Sequence, residues 1–108
     1  MIEDNSENKN KYSDLALEDV KNELAPPSLY KVILINDDYT PMEFVVEILM
    51  SVFSLDKNIS TRVMLDVHTK GKGVCGIYPY EIAETRVAQV RKMAKEHQHP
   101  LLCSIEED

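Results

Sequence analysis

Asn36, Asp37 and Asp38 place a carboxamide and two carboxylates at one point of the chain, and His68 supplies an imidazole further on. An amide oxygen, a carboxylate and a neutral imidazole all accept hydrogen bonds, which is the set that a small cation such as an ammonium requires. Taken alone, the triplet is ordinary turn chemistry, because Asn and Asp side chains bond their own backbone. His68 taken alone reads as a partly buried histidine with a satisfied hydrogen bond. As a ligand holder it needs Asn36 or Asp37 close in space. The neighbourhood favours a site: the triplet sits at the mouth of a segment bearing Met42 and Val45, and a polar rim beside an apolar hollow is the form of a small-ligand pocket.

Other chemistries weigh less. A thiol enzyme could be assembled from Cys75, His68 and an acid, since a thiol needs a base to become nucleophilic. Yet Cys75 lies in the mostly apolar run GVCGIY, which suits an inert small hydrophobe. His68, His97 and His99 lack the spacing of a metal site, so no metal and no cofactor is expected. Arg91, Lys92 and Lys95 read as a solvated face near a helix C-terminus, where their charge complements the dipole.

The elements that must hold these residues can be read from periodicity and turn chemistry. Leu29 to Ile35 (LYKVILI) is a β-branched and apolar run closed by the Asn-Asp-Asp triplet, and predicts a strand. Thr40-Pro41-Met42-Glu43 then has the form of a capping box with proline at the first helical position, opening a helix to about Phe53. Asp56 can cap a second helix, with Ile59, Val63, Met64 and Val67 on one side, ending near Lys70 before Gly71. Gly73 to Tyr78 reads as a strand, with Gly76 marking a bulge or a close backbone approach. Pro79 opens a third helix whose Ile82, Ala83, Val87, Val90 and Ala94 are helically spaced up to Glu96. Leu101 to Ile105 is a last short strand. The expected fold is therefore α+β in the order β-α-α-β-α-β, a three-stranded antiparallel sheet with three helices on one face.

Residues 1–13 are polar and too poor in apolar side chains to offset their ordering entropy, so disorder is expected there. Residues 14–24 carry a weak helical pattern stopped by Pro26 and Pro27. The expected division is a flexible extension over 1–26 and a core domain over 27–108. With 108 residues, one modest core is the ceiling. A net charge of −7 offers no footprint for nucleic acid or an anionic membrane. Two cysteines, no long apolar run and no signal-peptide pattern point to the cytoplasm.

The string PPSLYKVILINDDYTPMEFVVEIL closely resembles the ClpS family of bacterial adaptor proteins, and MLDVHTKGKGVCGIY, EIAETRVAQV and EHQHPLLCSIEE follow in that family's order and spacing. The resemblance runs from about residue 14 to the C-terminus. It implies a monomeric, non-catalytic adaptor that binds N-degrons, substrates whose first residue is Leu, Phe, Tyr or Trp with a free α-amino group. It further implies delivery of those substrates to the ClpA unfoldase of the ClpAP protease, by contact with the unfoldase N-terminal domain. On the family pattern Asn36, Asp37 and His68 grip the α-amino group and first peptide, with Asp38 beside them. Thr40, Met42, Val45, Met64, Val67 and Leu101 shape the side-chain pocket. Glu81 and Arg86 match the unfoldase contact, although Arg86 stands where lysine is common, which keeps the charge and changes the geometry.

Overall fold

The structure is a computed structural model and describes residues 28–108. The expected extension and its weak helical pattern lie outside the described residues. The element order is β1 (Leu29–Ile35), α1 (Met42–Ser51), α2 (Lys57–Lys70), β2 (Lys72–Pro79), α3 (Tyr80–Glu96) and β3 (Leu102–Glu107), which is the expected β-α-α-β-α-β succession. The sheet runs β2-β1-β3 with both pairings antiparallel. The strand that ends in the acidic triplet is therefore the central one. Among the described residues, no helix is long and apolar enough to cross a membrane.

Alternation along β1 decides where the core sits. Val32 and Leu34 point to the helices and join Phe44, Ile48 and Leu49 of α1, Val67 of α2, and Ala83, Val87 and Val90 of α3 in one buried cluster. Two residues expected on buried stripes depart from it: Ile59 is 42% exposed and Ile82 44%. Both belong to the first turn of their helix, where the next residues, Ser60 and Ala83, are the ones buried.

The helix starts also differ from expectation in an instructive way. α2 opens as read, with Asp56 Oδ1 accepting from the Ile59 amide at 2.8 Å. α1 has no capping box: Pro41 is its N-cap, no side chain caps it, and the Phe44 and Val45 amides reach the Pro41 carbonyl. With Pro41 at the cap, Thr40 stands one residue ahead of the capping position, and its hydroxyl donates to Asp37. Glu43 stays in the first turn, where the helix dipole favours an acid.

α2 passes into β2 through Gly71, whose φ of 91° is left-handed and whose amide closes on the Val67 carbonyl at 3.1 Å. Next to it, Gly73 is buried tightly against α2. A Cβ there would stand 2.8 Å from Val67 Cγ2 and 3.0 Å from the Val63 carbonyl oxygen. At Gly76 the bulge alternative holds: the β1–β2 register slips between Val32 and Ile33 beside it, while a Cβ there would meet the Tyr78 ring and not backbone. Because the carbonyl against Gly73 cannot step aside, Gly73→Ala is expected to cost about 1–3 kcal/mol in a urea titration. An unchanged midpoint would mean that α2 is free to shift.

Candidate functional site

The site is built on the six-residue connection between β1 and α1, and its organiser is Asp37. Oδ1 accepts from the Tyr39 and Thr40 amides at 2.8 Å each, and Oδ2 accepts the Thr40 hydroxyl at 2.8 Å. Partial burial pushes this carboxyl up, but the bonds from Thr40 and Tyr39, with His99 nearby, outweigh it and hold the group below its ordinary value. An ionised carboxylate has about four lone-pair positions. Three are used by the loop itself, which leaves one on Oδ2 for a ligand.

A second bond ties this loop to the other half of the site. The Asn36 amide donates to the Gly71 carbonyl at 2.9 Å, and Gly71 follows His68 by less than one helical turn. The triplet and the histidine, remote in sequence, are thereby brought to one place. They line a single hollow of about 380 Å³, its rim formed by Asn36, Asp37, Asp38, Tyr39 and His68. Its depth is formed by the buried Val45 and Val67 with the half-buried Thr40 and Met64, while the exposed Pro41 and Met42 stand beside the rim. That volume lies within the range of small-ligand sites.

Nine of the ten residues expected in the grip and pocket line this hollow. Leu101 does not: it is 5% exposed and belongs to the core cluster, because it precedes β3 and turns inward beside Cys103. His68 departs from the partly buried reading, being exposed and, among the described residues, without a hydrogen bond from its ring. Tyr39 and Pro41 line the hollow without having been expected. Tyr39, 80% exposed, could have been found as a large aromatic placed between the acids and the proline, where no core needs it.

The remaining candidates lie elsewhere. Glu81 is exposed in the first turn of α3. Arg86 sits over the Tyr78 ring at 5.8 Å and donates to Gln89 at 3.3 Å. His97 and His99 pack their rings on Phe44, with centroids 5.1 and 4.6 Å away, so packing joins the helix dipole as their setting. Cys75 and Cys103 are buried and unpaired. Burial drives Cys75 far above the ordinary thiol range, reinforced by Cys103. Burial pushes Cys103 up to about 12 against the opposing charge of Arg91. Neither is a thiolate at neutral pH, and neither lines the hollow. The arrangement is suited to holding a ligand, with a cation at its rim and an apolar group in its depth.

Comparison with known proteins agrees with this chemistry. Residues 25–104 match the family model described as ATP-dependent Clp protease adaptor protein ClpS. The chain is 62% identical over 90 residues to the ATP-dependent Clp protease adapter protein ClpS of Shewanella pealeana, covering 83% of this chain and 88% of that one. It is 55% identical over 95 residues to its counterpart in Escherichia coli O157:H7, covering 88% and 90%. Among solved structures it resembles Agrobacterium tumefaciens ClpS2 bound to L-phenylalaninamide, with a TM-score of 0.74, 40% identity, and coverage of 77% of this chain and all of that one.

The Asp37 bonds generate a test. Asp37→Ala removes three hydrogen bonds at once and, by analogy with losing a cap, should cost about 1–2 kcal/mol in urea unfolding. The folded carboxyl lies below its ordinary 3.8, so this contribution is complete above that pH and is lost as pH falls through the depressed value. The cost of Asp37→Ala, measured against the parent, should therefore shrink under strongly acid conditions. A constant cost would assign the loss to something other than the charge.

Proposed function

The chain belongs to the ClpS family of ATP-dependent Clp protease adaptor proteins, and on that premise we propose that the hollow holds the first residue of an N-degron substrate. The observation that carries this reading is the single lone pair left on Asp37 Oδ2, at the edge of a hollow that is apolar in its depth. A free α-amino group, with a reference pKa of ~7.7–8.0, is an ammonium at neutral pH. Asp37 supplies a charge-assisted acceptor for it, with the Asn36 and His68 side chains beside it. An internal residue of a polypeptide brings no such cation. The first side chain, Leu, Phe, Tyr or Trp, then fills the space between Val45, Met64 and Val67, a burial worth ~1.5–3 kcal/mol. Asp38 and Tyr39 stand where the second residue leaves the hollow. In support, the ClpS2 relative is described with L-phenylalaninamide, which joins a free amino group to an aromatic side chain.

Delivery follows from a separate surface. Glu81 and Arg86 lie on α3 and line no part of the hollow, so the N-terminal domain of a ClpA-type unfoldase can bind there while the substrate stays held. This keeps both partners accessible at once.

Two peptides that start with Leu, one free and one acetylated at its N-terminus, test the reading by fluorescence titration. Hydrogen bonds to a charged group contribute ~1.5–3 kcal/mol each, so acetylation should weaken binding by about two orders of magnitude or more. Equal binding would contradict it. Met42, 43% exposed at the rim, is the first residue of α1, and the helical backbone sets the stem of its side chain beside the Cβ of the bound residue. A β-branched ligand meets that stem. Met42→Ala should then admit Ile and Val, reducing the preference for Leu over Ile by about one to two orders of magnitude. An unaltered preference would move the discrimination to Met64 or Val67.

A further inference from the structure

A second hollow of about 350 Å³ lies beside the first and has no part in the function proposed above. Met42 and Met64 line both, so their side chains are the wall between two spaces of similar size. Beyond that wall stand Val46 of α1 and Thr61 of α2, with Glu43 and Lys57 completing the lining. The Thr61 hydroxyl donates to the Lys57 carbonyl at 2.8 Å and is already satisfied.

Methionine is unbranched, with three rotatable bonds and a thioether that packs well against apolar surfaces. Interiors are otherwise close-packed, and a side chain can yield only where space exists behind it. Here such space exists on the far side of both methionines. We propose that Met42 and Met64 form a movable partition, and that the second hollow receives their thioether ends when a first residue longer than leucine, above all tryptophan, enters the first. The inference rests on reading the first hollow as the side-chain pocket. It makes Val46 and Thr61 specificity residues that never touch the substrate. It also agrees with rejection of β-branched residues: the stem of Met42 is fixed next to Pro41, and only its tip retreats. Crowding near the ligand backbone persists, while crowding at its far end is relieved.

The test fills the second hollow from either wall, with Thr61→Phe and separately Val46→Phe, and titrates each folded variant with peptides beginning with Leu and with Trp. Thr61→Ser, which keeps the hollow open, serves as the control. Each filling variant should bind the Leu peptide within about twofold of the parent and the Trp peptide about tenfold or more weakly, the scale on which pockets discriminate by size. Thr61→Ser should bind both as the parent does. If Trp binding is unchanged in both filling variants, or if Leu and Trp binding fall together, the partition does not move and the inference is overturned. A parent that binds neither peptide contradicts the pocket reading itself, and this inference with it.

Discussion

One carboxylate turns the end of a strand into a site. Asp37 closes the β1–α1 connection by accepting two amides and a hydroxyl from the two residues that begin the path to α1. Without those bonds, the donors of Tyr39 and Thr40 would turn to water and the loop would have no fixed shape. The closure ends at Thr40, Pro41 follows as the N-cap, and Met42 begins the helix. An ionised Asp37 is thus a condition for the loop and, on the proposed function, for the ligand's ammonium. Structural and binding demands fall on different lone pairs of one group.

The second constraint is the closeness of α2 to β2. Gly73 lets Val67 and the Val63 carbonyl approach to distances that any Cβ would obstruct, and Gly71 turns the chain so that its carbonyl meets the Asn36 amide. Val67 therefore lines the hollow while His68, the next residue, stands at its rim. Both halves of the site are fastened to the central strand, one through the chain and one through the β2 ladder and the Asn36–Gly71 hydrogen bond.

Most of this was legible in the sequence, for identifiable reasons. Strong β-branched and helical periodicities marked all six elements, and the turn residues Asn36, Asp56 and Gly71 marked three of their ends. Which residues share the hollow was legible only through family resemblance, since nothing in their spacing shows that position 36 meets position 68. Leu101, one step before β3, lies in the core cluster and not on the lining of the hollow. The capping box was misread because the motif Thr-Pro-Met-Glu is locally consistent, while the helix takes Pro41 and not Thr40 as its N-cap. Tyr39 escaped notice because an exposed aromatic has no periodic signature. The second hollow has none either, since it is formed by the space between helices and not by any residue type.

The claim at the centre of the account is that a ligand ammonium takes the last lone pair of Asp37 while its side chain enters between the methionines. A crystal structure of this protein with a short peptide beginning with Leu measures that directly. The account predicts the peptide nitrogen within about 3 Å of Asp37 Oδ2, the three loop bonds to Asp37 intact, and the leucine side chain against Met42, Val45 and Met64. A peptide bound with its amino group away from Asp37, or only after the Thr40 hydroxyl has left Oδ2, would contradict it.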